Sequence, residues 1–411
     1  MERERVSDRP LVIKFGGTSV SDGARFIRVA GIATETAQER PVAVVVSAMR
    51  GTTDTLLGHA DVTTGRAGRT STGATRERSI AELHRALSER HLRAAREAVS
   101  AEYLPEVEER LSILLEQLVR ALDSPVENPA ARRAEIAVYG ERLSAEILAG
   151  ALRSAGTPAA VVAEDPIATN AGFDGADVDP LETDRRCSRY VAPLLREGTV
   201  PVVPGSVGRS PEGTPTTLGR GGSDLSATVI GRALGSREVW IMSDVDGVLD
   251  ADPRLVPSAT LMPHLSYREA TIFAELGAKI LHPKTMEPAS EANIEVLVRN
   301  TFNLECSGTR VTEREDEPGV HCVALRRRFA VELPCASRRH RKEAAAVVCI
   351  GSSDDRDLAR GLRCLREAGI PPVHSGMAPA GLVFIVFEEV AEEALRTLHA
   401  RLLLPAGEVV A

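Results

Sequence analysis

Two glycine pairs, each set where a strand-like stretch gives way to a helical pattern, constrain this chain more than any other feature. Residues 14–20 read KFGGTSV, with Gly16 and Gly17 following the apolar run Leu11–Phe15. Residues 216–224 read TTLGRGGSD, with Gly221 and Gly222 ahead of the helical pattern at 223–234. Glycine lets a backbone approach a ligand closely and adopt positive φ. The helix start behind each turn offers unpaired N–H groups and partial positive charge, which suits a phosphate. Lys14 and Arg220 add full charges beside the two loops. Together they predict a polyphosphate held between two helix starts.

The rest of the chain alternates strand and helix patterns. After Leu11–Phe15 come a helix at 25–36 and a second β-branched run, PVAVVVS at 41–47. Such alternation predicts a largely parallel sheet covered on both faces. Residues 65–75 (GRAGRTSTGAT) read as a mobile surface loop. From 80 to about 156 the pattern is helical, with Leu111, Leu114, Leu115, Leu118 and Leu122 at three- and four-residue spacings. This stretch reads as a helical excursion on the sheet. Further strands are expected at 158–163, 199–203, 238–242 and 294–299, with helices at 179–196 and 267–276. Pro211, Gly213 and Pro215 mark a hairpin leading into the second glycine loop. Ligands on open α/β sheets collect beyond the carboxyl ends of the strands, which is where these loops fall.

A domain boundary is expected near 307–319, where turn residues and charges replace the periodic pattern. Beyond it, strands at 344–350, near 372 and at 382–387, with helices at 355–368 and 391–403, suggest a small β-α-β-β-α unit. The basic run at 326–342 (RRRFAVELPCASRRHRK) reads as a solvated linker or surface segment.

Composition narrows the function classes. A net charge of −8 argues against general nucleic-acid binding, which leaves a basic footprint. No run approaches the roughly 18 apolar residues of a membrane span. Residues 1–10 are a polar tail without the apolar core of a signal peptide. The six cysteines lie far apart with no CxxC pair, so reduced thiols in the cytoplasm are expected rather than disulfides or a zinc site.

Six segments in order then carry a family resemblance: KFGGTSV at 14–20, VVSA at 45–48, GERLSA at 140–145, TTLGRGGSD at 216–224, SDVDGVLDADPR at 243–254 and GAKILHP at 277–283. Over roughly residues 11–310 the chain resembles the aspartate kinases (aspartokinases) of the amino-acid kinase superfamily. The resemblance implies a three-layer αβα sandwich as the catalytic domain at 11–310. A reduced ACT-like α+β regulatory domain follows at 320–411. It implies transfer of the γ-phosphoryl group of ATP, with Mg²⁺ on its phosphates, to the side-chain carboxylate of L-aspartate, a step in amino-acid biosynthesis. Such a transfer needs mainly positioning and charge neutralisation. The acceptor is already an anion, which is consistent with the lack of a Ser/His/Asp or Cys/His arrangement.

Residue by residue, the resemblance puts Lys14, Gly16, Gly17 and Ser19 around the transferring phosphoryl group. Asp224 would orient the lysines or a Mg²⁺-bound water. On the amino-acid side, Arg220 is the candidate for a bidentate grip on the α-carboxylate and Glu141 for pairing with the α-ammonium. Ser47, Thr53, Ser206 and Ser223 line that subsite. Ser243, Asp244, Leu249, Arg254 and Lys279 match nucleotide contacts, and His282 reads as structural. No protein metal ligands are expected.

Three departures stand out. Where the family has a Gly-Phe pair, this chain has Gly205-Ser206, which widens the acceptor pocket and makes it more polar. Leu249 replaces a nucleotide-packing tyrosine. The residues beyond 320 suffice for one ACT-like unit and a remnant, which argues against feedback inhibition by lysine or threonine and suggests a pathway-specialised paralogue. Two alternatives stay open: the same transfer to another small acid, or an amino-acid-sensing subunit of low activity. Association into a homo-oligomer through the ACT-like unit is expected.

Overall fold

The computed structural model describes residues 9–63, 73–276, 283–314, 319–333, 340–379 and 381–403. Most of the expected loop at 65–75, most of the polar tail, and Lys279 and His282 lie outside the described residues. The chain divides into two compact units, Met1–Val245 with Lys284–Cys306, and Asp246–Pro283 with Ser307–Ala411.

In chain order, β1 (Leu11–Phe15) leads through α1 (Gly23–Ala37) to β2 (Val42–Val46). The helices α2 (Thr52–Thr63), α3 (Gly73–Ala98), α4 (Leu104–Asp123), α5 (Pro129–Ala137) and α6 (Tyr139–Ser154) follow. Next come β3 (Ala159–Val161), α7 (Pro180–Arg186), α8 (Ala192–Arg196) and β4 (Val200–Pro204). The hairpin of β5 (Val207–Arg209) and β6 (Pro215–Thr217) leads to α9 (Gly222–Ala233) and β7 (Glu238–Ser243). After β8 (His264–Ser266) and α10 (Tyr267–Glu275) of the second unit, the first resumes with α11 (Met286–Glu291) and β9 (Glu295–Asn300). The second unit continues with β10 (Thr309–Thr312), β11 (Cys322–Leu333), β12 (His340–Ile350), α12 (Asp355–Glu367), β13 (His374–Ala378), β14 (Gly381–Phe387) and α13 (Ala391–Leu398).

In the first unit the strands run β3-β4-β2-β1-β7-β9, each paired in parallel with its neighbour. The runs LVIKF and VAVVV are buried along their whole length, as strands covered on both faces must be. Side chains alternate across a strand. Leu11, Ile13 and Phe15 therefore pack with α1, α3, α4 and α6, whereas Lys14 points to the other face, where α9 meets β1. The helical stretch is part of this core: Leu111, Leu115, Leu118 and Leu122 are buried, and Leu114 is half-buried against them. The result is the helix–sheet–helix layering expected.

In the second unit an antiparallel sheet runs β11-β12-β14-β13, with α12 and α13 packed on it. Ala345, Val347 and Cys349, spaced by two along β12, face Leu365, Phe384, Leu395 and Leu398. From β12 to α13 the order is the expected ACT-like β-α-β-β-α. The basic run is not a linker, although its Arg326 and Arg327 are exposed as a surface segment's would be. Residues 326–333 belong to β11 and pair with β12 over Cys322–Leu333 and His340–Ile350, with a bulge between Arg326 and Phe329. The alternation of Phe329, Val331 and Leu333 with Ala330 and Glu332 is a period-2 signal that the surrounding arginines mask in a reading by charge. Its remaining part, 334–339, lies outside the described residues.

Candidate active site

The carboxyl ends of β1, β2, β4 and β7 open on one side of the first unit's sheet, and the functional loops start there. Gly16 donates to the Met242 carbonyl at 3.2 Å, and Ser47 donates to the Phe15 carbonyl at 3.1 Å. The turn after β1 is thereby tied to the ends of β7 and β2. A Cβ on Gly17 would lie 2.7 Å from the Ala48 carbonyl oxygen, so only glycine fits where the first two loops cross. Gly221, at φ 71°, makes the left-handed step that starts α9. Ser206 also has positive φ, at 61°. Its N–H donates to Ser226 Oγ at 2.8 Å, and its carbonyl accepts from Leu218 at 3.0 Å, which holds that conformation.

These loops enclose a cavity of about 540 Å³. Lys14 and Gly17 line it from the first loop, and Ser47 and Thr53 from the segment after β2. Glu141 enters from the first turn of α6, Ser206 from the turn between β4 and β5, and Arg220, Ser223 and Asp224 from the second glycine loop. Lys14 Nζ sits 2.6 Å from Asp224 Oδ1, with both side chains nearly buried. Arg220 is exposed at the cavity wall and has no ion pair or hydrogen bond among the described residues, so its guanidinium is available to an anion.

Glu141 is buried, and burial raises its carboxyl to about pH 8, with backbone hydrogen bonds from Glu141 itself and from Ala48 pulling the other way. Among the described residues no cation contributes to lowering it. A buried carboxyl held only by backbone N–H groups is one that a ligand's positive charge would favour in its ionised form.

The remaining expected residues are placed differently. Gly16 stands next to Lys14, and a Cβ there would come within 3.3 Å of Nζ. Ser19 is fully buried, and its hydroxyl shares a 2.7 Å hydrogen bond with Thr301, so it supports the turn and does not face the cavity. Ser243 and Asp244 end β7 on the same sheet edge without lining the cavity. Leu249 and Arg254 belong to the second unit, where Leu249 bridges Leu261 and the exposed Arg254 pairs with Asp252 at 2.5 Å. Lys279 lies outside the described residues.

Two contributors were not visible in the sequence. Arg90 of α3 donates to the Arg50 carbonyl at 2.8 Å and the Ser21 carbonyl at 3.5 Å, joining the segments after β2 and β1. Arg133 of α5 and Asp174 line the cavity together and pair at 3.0 Å. An arginine on a helical pattern carries no local sign of such a partner. Among the described residues there is no group of three or more His, Cys, Asp or Glu able to hold a metal, and no helix is long and apolar enough to cross a membrane.

A parallel α/β sheet with two glycine turns at its carboxyl edge and a buried Lys–Asp pair between them frames the site. The chain belongs to the amino acid kinase family, whose model it matches over residues 9–300. It is 38% identical over 313 residues to aspartokinase 3, chloroplastic, of Arabidopsis thaliana, a match that takes in 74% of this chain and 53% of that protein. The chain thus spans about half the length of the curated relatives it matches. Its fold is similar to E. coli aspartokinase III in complex with lysine and aspartate (TM-score 0.79, 24% identity, 96% of this chain and 99% of that one). The same enzyme in complex with aspartate and ADP gives a TM-score of 0.74 at 24% identity, covering 96% of this chain and 100% of that one.

Proposed function

We propose that this chain is an aspartate kinase, which moves the γ-phosphoryl group of ATP to the side-chain carboxylate of L-aspartate and releases 4-phospho-L-aspartate and ADP. The observation that carries the reading is the single cavity in which Lys14, Glu141, Arg220 and Asp224 converge. Its support is the similarity to aspartokinases.

A small dicarboxylic amino acid has three charges to satisfy, two carboxylates and one ammonium. Its ammonium group matches the buried Glu141 carboxylate, and its α-carboxylate matches the unengaged Arg220 guanidinium. Ser47, Thr53, Ser206 and Ser223 supply neutral hydrogen bonds. The side-chain carboxylate is then directed towards Lys14. Held by Asp224, the Lys14 ammonium is a fixed positive charge for the equatorial oxygens of the transferring phosphoryl group. The N–H groups at the start of α9 and the turn at Gly16 and Gly17 add oriented dipoles. The acceptor oxygen attacks phosphorus as an anion, so no proton has to be removed from it.

Mg²⁺ would arrive on the ATP phosphates, with Asp224 as the carboxylate for an outer contact. The ion would neutralise phosphate charge. Ser243 and Asp244 stay the proposed nucleotide contacts of the first unit, and Leu249, Arg254 and Lys279 those further along the chain. The catalytic portion at 11–310, the ACT-like regulatory portion at 320–411, self-association through the latter and a cytoplasmic setting complete the reading.

Hydroxylamine trapping tests it. With ATP, Mg²⁺ and L-aspartate, mass spectrometry should detect aspartate β-hydroxamate at a rate that follows ADP release. ADP release without that hydroxamate, or no turnover at all, overturns the proposal.

A further inference from the structure

Arg133 and Asp174 line the cavity and have no part in the transfer described above. Arg133 Nη1 lies 3.0 Å from Asp174 Oδ2, and its Nε lies 3.0 Å from Asp61 Oδ1 on α2. The guanidinium is therefore fixed from two sides. Its helix α5 runs into α6 across Val138, which closes one helix and opens the next. Glu141 stands in the first turn of α6. Arg133 and Glu141 thus stand on consecutive helices of the same wall.

Asp174 belongs to the opposite wall. It follows Phe173, a non-glycine residue at φ 49°, a strained conformation that persists only where neighbours enforce it. Thr217 enforces it here: its N–H donates to the Phe173 carbonyl at 2.7 Å, and its own carbonyl accepts from Gly175 and Ala176 at 3.0 and 2.9 Å. The two backbones then run so close that a Cβ on Gly219 would sit 3.0 Å from the Gly175 Cα. Arg220 is the next residue. The segment bearing Asp174 is thus fastened to the turn that aims Arg220.

We infer that the Arg133–Asp174 pair selects acceptor length by fixing where the Glu141 and Arg220 grip stands in the cavity relative to Lys14. The inference rests on the proposed carboxylate-kinase reading, in which those two groups grip the amino-acid end of the acceptor. A fixed grip on the ammonium and α-carboxylate leaves one reach for the second carboxylate, that of aspartate and not of glutamate, one methylene longer. Arg133 and Asp174 are positioning residues. Asp174 is 55% exposed, so the pair sits at a wet rim and sets geometry without dominating stability.

The test compares kcat and KM for L-aspartate and L-glutamate in wild type, Arg133→Ala, Asp174→Ala, the double variant and Arg133→Lys. Expected are a KM for aspartate raised roughly three- to fivefold in each alanine variant, the reach of a rim ion pair. Also expected are a kcat within about twofold of wild type, a reduced aspartate-over-glutamate ratio of kcat/KM, and a double variant no worse than either single one. Arg133→Lys should restore part of the ratio. An unchanged ratio alongside active wild type, or additive losses in the double variant, overturns this inference alone. Wild type that turns over neither acid overturns the kinase reading, and this inference with it.

Discussion

Lys14 and Asp224 stand 210 positions apart in sequence, and their charged groups meet at 2.6 Å between the first strand and the first turn of α9. The partner fixes where the buried ammonium points. Lys14→Ala should lower kcat at least about 10²-fold, the usual cost of removing a group that stabilises developing charge. Asp224→Asn should lower kcat as well and, by leaving the lysine unpaired, also the melting temperature. Steady-state rates beside thermal unfolding of both variants check this. Full activity in Lys14→Ala would refute the assigned role.

Glu141 predicts a pH signature. Its folded-state value of about 8 is above the ordinary carboxylate value of 4.5, so between those pH values the empty folded protein holds a proton that the unfolded chain has released. Stability of the unliganded protein therefore falls as pH rises through that window, and Glu141→Gln should raise the melting temperature more at pH 8 than at pH 5. An ammonium ligand needs the ionised form, so aspartate binding below pH 8 should release a proton. Calorimetry in buffers of different ionisation enthalpy measures it. Binding without proton release at pH 7 would rule out Glu141 as the ammonium partner.

The crossing of the first two loops predicts a packing-limited variant. In Gly17→Ala the added methyl meets the Ala48 carbonyl, and either loop must shift by several tenths of an ångström. A displacement of that kind at a reacting centre should cost roughly 10- to 100-fold in kcat. Circular dichroism should stay that of the folded protein. A variant with unaltered kcat would show that the loops yield without consequence.

In the second unit, Asp250 accepts from Thr260 N at 2.9 Å and Oγ1 at 2.7 Å and lies 3.1 Å from His399 Nε2. Burial pushes its carboxyl up, but the hydrogen bonds from His399 and Thr260 outweigh this and leave it below the ordinary value. A lowered carboxylate contributes stability above its unfolded value that is lost as pH falls through the folded one. Asp250→Ala should thus destabilise this unit by about 1–3 kcal/mol at neutral pH, with a smaller difference near pH 3. Denaturant unfolding at both pH values checks it, and an equal loss at both would show that the carboxylate's charge is not what matters.

What could be read along the chain was local. The runs LVIKF and VAVVV, the paired glycines and the leucine spacing of α4 each announce their own element, because β-branched packing, positive φ and the 3.6-residue period act over a few residues. From these came the sheet and both loops with Lys14 and Arg220 beside them, while the other site residues came from the family resemblance. Tertiary structure decided the partnerships: that Lys14 faces α9, that Glu141 is buried at the cavity wall against the Ala48 segment, that Ser19 bonds its hydroxyl to Thr301, and that Arg133 meets Asp174. Such pairings depend on strand order and on which helix covers which face. Electrostatic and hydrogen-bonding energies fall off within a few ångströms, so no local pattern of residues records them before the chain has folded.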